Sequence, residues 1–138
     1  MSPETIVLSI PRGKGFHSVA RLVVGGLAAR YGLSFEDHED LQLALASVLE
    51  NDGYAVGDAV AVRLDIHPDS LVMAIGPLKA AELRSDLDST TDDEISLHRL
   101  LSTLVDRVAL EDGDGGAWLR LEKQVSLKPP SVYVPEEG

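Results

Sequence analysis

The chain has 138 residues, which predicts one domain with a core large enough to fold without disulfides or structural metals. It contains no cysteine, which excludes disulfides, cysteine zinc sites and thiol catalysis. The formal net charge of −11 opposes binding to nucleic-acid phosphate and to anionic membrane surfaces. Since no apolar run is long enough to span a membrane and the first residues do not resemble a secretory signal, we expect a soluble cytoplasmic protein.

The first half of the chain predicts one strand and two helices. The β-rich run TIVLSIP forms the strand, and FHSVARLVVGGLAARYG forms a helix that stops at Gly32. A second helix begins at Ser34, with Asp37 three residues later as in a capping box, and ends at Gly53 and Gly57. The predicted apolar faces are Phe16, Val19, Ala20, Val23, Leu27 and Tyr31 for the first helix, and Leu41, Ala44, Leu45, Val48 and Leu49 for the second.

The second half predicts a hairpin, a helix and a final strand. The runs AVAVRLDIHP and SLVMAIGP are two strands joined by a tight turn. A short helix can follow, and then an acidic solvated loop over 86–94, where Thr91 caps the next helix. That third long helix is ISLHRLLSTLVDRV, LEDGDGGAW is a turn, and AWLRLEKQV is the last strand. The predicted apolar stripe of the third helix is Leu97, Leu100, Leu101, Leu104 and Val108.

This order of elements predicts an α+β fold. Three helices would cover one face of a mainly antiparallel sheet of four to five strands, in a two-layer sandwich. The domain would span residues 1–125, and the Pro-containing residues 126–138 would form an extended or disordered tail. An unrelated small α/β domain with the same element order remains an alternative.

Four segments, in order, resemble the anti-sigma-factor serine kinases of the GHKL (Bergerat-fold) ATPase superfamily. IPRGKGFHSVARLVVGGLAARYGLS is similar to the family's opening strand and first helix, and EDLQLALASVLEND to its N-box helix. DSLVMAIGP is similar to the strand that leads into the D-x-G motif. LHRLLSTLVDRVALEDGDGGAWLRLEKQV is similar to the closing helix, turn and strand, with Glu122 and Lys123 at the place of the family's Lys-rich motif. The resemblance implies the histidine-kinase-like ATPase fold.

The resemblance also implies where nucleotide chemistry would lie. The family's N-box presents a Glu that activates the attacking hydroxyl and, one helical turn later, an Asn that holds Mg²⁺ against the phosphates. These positions are Ser47 and Asn51 here, and a serine is a far weaker base than a carboxylate. Glu50 is a weak alternative base, because its helical position points about 100° away from that of Asn51.

The other nucleotide elements of the family are reduced in this sequence. No carboxylate falls at the Asp of the D-x-G motif; Gly76 is the weak remaining candidate for contact with a base, and Pro77 and Leu78 predict a pocket filled by side chains. The stretch SDLDSTTDDEISLH, at the place of the family's glycine-rich phosphate lid, contains no glycine. We therefore expect no catalytic residue and no cofactor, with ATP and Mg²⁺ only if the chain is an active kinase.

Two functions follow from the resemblance. The first is an anti-sigma-factor-like regulator that has lost ATP binding. It would act by partner switching with a sigma factor, a STAS-type anti-anti-sigma protein, or both, and the resemblance also allows a homodimer. The second is an active ATP-dependent protein serine kinase, in which Asn51 would bind Mg-ATP. The resemblance implies a partner surface on the first helix and neighbouring sheet elements. By their exposure pattern in the predicted helix, the candidate residues are Arg21, Arg30 and Tyr31.

Overall fold

The computed structural model describes residues 4–88, 97–113 and 115–127. It contains the helices α1 (Lys14–Arg30), α2 (Phe35–Leu49), α3 (Ala80–Asp88) and α4 (Leu97–Leu104), and a short 3₁₀ turn at Asp52–Tyr54. The strands are β1 (Glu4–Pro11), β2 (Ala59–Ile66), β3 (Ser70–Leu78), β4 (Arg107–Gly113) and β5 (Gly116–Gln124). The described part of the chain is therefore an α+β domain. Its five strands agree with the predicted four to five, and α3 is the short helix that the sequence allowed in addition to the three predicted ones.

The five strands form one antiparallel sheet in the order β1-β2-β3-β5-β4. Side chains alternate between its two faces, as pleating demands. In β2, for example, Val60, Val62, Leu64 and Ile66 are buried, while Arg63 between them is exposed. The helices cover the face that carries the buried residues, and the opposite face is open, so the prediction of a two-layer sandwich is confirmed.

Helix α2 is the central helix of the covering layer and follows its predicted pattern. Its apolar face, Leu41, Ala44, Leu45, Val48 and Leu49, is buried against the sheet. The Ser34 hydroxyl accepts a hydrogen bond from the Asp37 backbone N–H at 3.1 Å, which satisfies one of the free donors of the first turn. The helix begins where the sequence predicted and ends earlier, at Leu49.

Helix α1 packs on the sheet through a face rotated from the predicted one. The buried residues are Ala20, Val24, Ala28 and, at the C-cap, Tyr31. Ala20 and Tyr31 of the predicted stripe are thus confirmed, whereas Phe16 and Val19 are 45% and 40% exposed. Two alanines on the buried face let the helix approach the sheet closely, which larger side chains would prevent. The larger apolar residues are consequently left toward solvent.

The segment after α4 was predicted wrongly. The helix predicted as the third long one is α4, which has only eight residues and ends at Leu104. Residues 107–113, which were expected to be helix and turn, form β4. Val108, which was placed on a helical stripe, alternates with exposed neighbours in that strand. Pairing with β4 covers one edge of β5, which would otherwise present a row of unsatisfied backbone groups.

Helix α3 also changes the reading of the acidic segment. Asp86 and Asp88 lie in its last turn rather than in a solvated loop. The predicted capping residue Thr91 and the rest of the acidic stretch lie outside the described residues, as do residues 128–138 of the predicted tail. Leu127 of that tail packs against the hydrophobic core. Among the described residues, no helix is long and apolar enough to cross a membrane.

Candidate functional site

The position that the resemblance assigns to Mg²⁺ lies beyond the end of a helix. Helix α2 stops at Leu49, Glu50 is its C-cap, and Asn51 follows in the connection to the 3₁₀ turn. The Asn51 side chain is exposed, and its Oδ1 accepts a hydrogen bond from the Gly53 backbone N–H at 2.9 Å. Asparagine commonly stabilises a turn in this way, so the oxygen that would face a metal already has a partner within the protein.

Ser47 takes no position from which it could act as a base. Its hydroxyl donates a hydrogen bond to the Leu43 carbonyl, one turn earlier in α2, at 2.7 Å. This contact is the usual way in which a serine within a helix satisfies its own donor.

Glu50 belongs to a different surface. It lines an open cleft of about 500 Å³ between α1 and α2, together with His17, Ser18 and Arg21 from α1 and Ala46 and Leu49 from α2. The three residues of the N-box hypothesis therefore make different contacts. Ser47 is tied to its own helix, Asn51 lies in the following turn, and Glu50 faces the groove toward α1.

Tyr54 fills the space next to Asn51. Its side chain is only 3% exposed, and its hydroxyl donates a hydrogen bond to Asp86 Oδ2, in the last turn of α3, at 2.5 Å. Burial, this hydrogen bond and the charge of Asp86 raise the pKa of Tyr54 well above its ordinary value, while the Asn51 side chain opposes the rise. The hydroxyl consequently remains a neutral donor throughout the physiological pH range.

The backbone ties the same loop to the end of β3. The Lys79 N–H donates to the Tyr54 carbonyl at 3.0 Å, and Ala55 forms an isolated antiparallel bridge with Leu78. Leu78 is 1% exposed and belongs to the hydrophobic core. Protein atoms thus occupy the region between the end of α2, the end of β3 and α3.

Gly76 faces away from that region. Its neighbour Ile75 points into the core, so strand alternation directs Gly76 to the open face of the sheet. There a Cβ on Gly76 would come within 2.5 Å of the Trp118 ring, and Gly113 also abuts the same indole. The missing side chain of Gly76 makes room for Trp118, and the structure does not bring Gly76 together with Asn51.

Lys123, from the Lys-rich motif of the resemblance, is a buried cation beneath the other end of α2. Its Nζ lies 3.2 Å from Asp40 Oδ2 and 3.6 Å from Asp37 Oδ1, and it donates to the Leu104 carbonyl at 2.8 Å. These contacts join β5 to the start of α2 and the end of α4. The ammonium group is thus paired with two carboxylates and a carbonyl of the protein itself, which indicates a structural role.

Two further observations bear on chemistry at these positions. Within residues 4–88, 97–113 and 115–127, no three His, Cys, Asp or Glu residues cluster as metal ligands. Tyr54 and Asp86, which dominate the site, were missed by sequence reasoning. They lie 32 residues apart, and a tyrosine after a helix C-terminus carries no pattern that would pair it with a distant aspartate.

The fold is similar to that of a solved structure. A crystal structure that contains the RsbU and RsbW domains of Rv1364c from Mycobacterium tuberculosis matches 96% of this chain with a TM-score of 0.64 and 15% identity. This chain spans 35% of that longer chain, and the matching part is the RsbW domain. The chain therefore shares the fold of that structure, and its antiparallel sheet covered by helices is the α+β fold expected from the sequence.

Two proteins of similar sequence have the same name, Serine-protein kinase RsbW. The chain is 26% identical to the Serine-protein kinase RsbW of Halalkalibacterium halodurans, over 88% of this chain and 83% of the relative. It is 27% identical to the Serine-protein kinase RsbW of Bacillus velezensis, over 83% of this chain and 82% of that relative. No protein-family model matches the chain. The resemblance to the anti-sigma-factor serine kinases is thus confirmed.

Proposed function

We propose that this protein is an anti-sigma-factor-like regulator that works by partner switching in bacterial transcription control and does not use ATP. The regulatory role rests on the two RsbW relatives, which align with most of the chain. Its partners would be a sigma factor, a STAS-type anti-anti-sigma protein, or both. We also propose that it acts in the cytoplasm, where such partners operate, without contacting nucleic acid or a membrane directly.

One observation supports the proposed loss of ATP binding. The two N-box positions are a serine whose hydroxyl is bonded to Leu43 and an asparagine whose oxygen is bonded to Gly53. A phosphoryl-transfer site needs a base or water-positioning group and a metal held against the phosphates. Neither side chain is arranged for such a task, and Tyr54 and Asp86 fill the adjoining space.

The alternative is an active protein serine kinase. Both relatives carry that name, and Asn51 is retained and exposed at the end of the N-box helix. This alternative requires the segment around Tyr54 to rearrange when Mg-ATP binds. Glu50 would then be the available carboxylate, although it lines the cleft toward α1.

Calorimetric titration with ATP and ADP, each with Mg²⁺, separates the two functions. We expect no binding at millimolar nucleotide, and the same flat titration for Asn51→Ala. Saturable binding with one nucleotide per chain, abolished in Asn51→Ala, would instead establish the kinase alternative. Incubation with labelled ATP and a STAS-type protein of the same organism then tests for phosphoryl transfer directly.

We further propose that partners dock on the outward face of α1. Arg21 and Arg30 are exposed on this helix, and the apolar Leu22, next to Arg21 in the chain, is 77% exposed. Tyr31, the third sequence candidate, does not fit this role, because it is buried and its hydroxyl donates to Glu4. The same face could also join two copies in a homodimer, which sedimentation analysis of the purified protein would detect.

A partner test follows from this surface. Sigma factors and STAS-type proteins of the same organism would be purified and titrated individually against this protein. At least one should bind, and Arg21→Glu should weaken that complex while Arg63→Glu, on the open face of the sheet, should not. Failure of every sigma factor and every STAS-type protein to bind would contradict the proposed function.

A further inference from the structure

Helix α3 is weakly held by apolar contacts. Leu83 is its one fully buried residue among those described, and Glu82, Arg84 and Asp88 are exposed. A nine-residue helix is too short to be stable by itself in water, so its position depends on its contacts with the rest of the protein. Leu87 is partly buried against the core, so the remaining polar contacts add to a small apolar attachment and help determine how firmly α3 is held.

A single residue outside the helix contacts both of its ends. The Tyr54 carbonyl accepts a hydrogen bond from Lys79 N–H, immediately before the first residue of α3, at 3.0 Å. The Tyr54 hydroxyl donates to Asp86 in the last turn of α3 at 2.5 Å. Tyr54 thus spans the length of the helix, with its backbone at one end and its side chain at the other.

Tyr54 is well suited to hold the helix in place. Its ring is 3% exposed, and the 3₁₀ turn that carries it is fixed by hydrogen bonds from Tyr54 N–H to the Asn51 carbonyl and from Gly53 N–H to Asn51 Oδ1. The bond to Asp86 joins a neutral hydroxyl to a carboxylate, and such charge-assisted hydrogen bonds are stronger than neutral ones. The 3₁₀ turn is thus hydrogen-bonded internally, while α3 contacts the rest of the protein through Leu83, the partly buried Leu87 and its packing against α4.

We propose that Tyr54 and Asp86 form a clamp that keeps α3 closed on the core, and that α3 opens as a local unit when this hydrogen bond is broken. Opening would uncover Leu83 and the adjacent core residue Leu78 without unfolding the sheet or the helices α1 and α2. The clamp is a conformational device of this chain and goes beyond the proposed regulatory function, because it requires neither a nucleotide nor an identified partner.

Hydrogen exchange of the full-length protein, followed by mass spectrometry, tests the clamp. Tyr54→Phe removes only the hydroxyl, so the fold should be retained. Asp86→Ala removes the acceptor, and Asp88→Ala is its matched control, since both substitutions remove one charge from α3 and raise helix propensity alike. We expect amides of residues 80–88 to exchange about tenfold faster or more in Tyr54→Phe and Asp86→Ala, and no faster than wild type in Asp88→Ala.

Peptides from α1 and α2 report whether the effect is local. They should exchange at wild-type rates in all three variants, because the hydrogen bond between Tyr54 and Asp86 joins the 3₁₀ turn to α3 and involves no residue of α1 or α2. The proposal is overturned if Asp86→Ala exchanges like Asp88→Ala, since the hydrogen bond then does not hold α3. It is equally overturned if exchange rises by the same factor throughout the chain, since Tyr54 then supports the whole fold and not one helix.

Discussion

Two regions of this molecule differ in what their side chains contact: those at the end of α2 are bonded within the protein, and several on α1 are exposed to solvent. At the end of α2, Tyr54 is buried, its hydroxyl is bonded to Asp86, and Asn51 is bonded to the next turn. On α1, the apolar side chains of Leu22 and Phe16 are 77% and 45% exposed. The first region is where the resemblance expects a ligand, and the second is where it expects a partner protein.

The contrast bears on the proposed function, a regulator that binds partner proteins and not a nucleotide. A site that binds a ligand needs polar groups whose hydrogen bonds are available to it, while a protein-docking face presents apolar anchors with a polar rim. The end of α2 uses its polar groups internally, and α1 leaves large apolar side chains in solvent. The physical difference between these regions is therefore the main support for a regulator without nucleotide.

The largest expected effect separates the two regions by stability. Tyr54→Ala should lower the free energy of unfolding by about 3–5 kcal/mol, because it leaves a cavity and removes the partner of Asp86. Leu22→Ala also removes a large side chain, but from an exposed site, and should change the free energy of unfolding by less than about 0.5 kcal/mol. Urea unfolding of both variants measures the difference. Equal effects would mean that the two regions are not distinguished by burial as the structure describes.

A second prediction concerns the glycine that faces Trp118. Gly76→Val should destabilise the protein by about 1–3 kcal/mol, because its side chain would overlap the indole ring. Gly26 in α1 is the control, since a Cβ there has no heavy atom within 4 Å. Gly26→Ala should stabilise the protein by about 0.5–1 kcal/mol through the unfolded chain. If thermal unfolding showed Gly76→Val to be neutral, Gly76 would not be packed against Trp118.

Alkaline pH gives a third, smaller effect at the end of α2. Since the pKa of Tyr54 is raised in the folded protein, the protonated phenol stabilises the fold fully below the ordinary pKa of 10.0. Above that pH the unfolded chain loses its proton first, so stability should fall as pH rises. Wild type should lose more stability than Tyr54→Phe between about pH 9 and 11. Parallel curves for the two proteins would show that Tyr54 ionises normally.

The smallest effect on stability is expected from a charge on α1. Leu22→Asp should change the free energy of unfolding by less than about 0.5 kcal/mol, because the side chain is exposed. It should nevertheless weaken the complex with a sigma factor or STAS-type partner about tenfold or more, since a charge would face an apolar contact. Binding of the partner with unchanged affinity would place the docking surface elsewhere.

Sequence patterns predicted those elements whose period and boundaries are strong. Helix α2 has a capping serine, a regular apolar face and glycines beyond its end, and its core residues are those predicted. The strands β2 and β3 are apolar runs joined by a tight turn, so their pairing as a hairpin was also correct. In each of these elements, local propensity and burial favour the same structure.

Prediction failed where two structures compete for one segment. The run LSTLVDRVAL suits both a helix and a strand, and only the need of β5 for a partner selects a strand from Arg107 onward. On α1 both the Phe16–Val19 side and the Ala20–Val24 side are apolar, so periodicity could not identify the buried face. The sheet selects the alanine-containing side because it allows closer packing.

The sequence by itself determined the order of most elements, the resemblance to anti-sigma-factor kinases, and the absence of a carboxylate at Ser47. It could do so because these properties depend on residue identity and short-range spacing. Only the tertiary structure decided that Tyr54 binds Asp86, that Gly76 lies against Trp118, and that Glu50 faces α1. Those contacts join residues far apart in the chain, and they follow from strand register and helix rotation, which are determined by the packing of the whole domain.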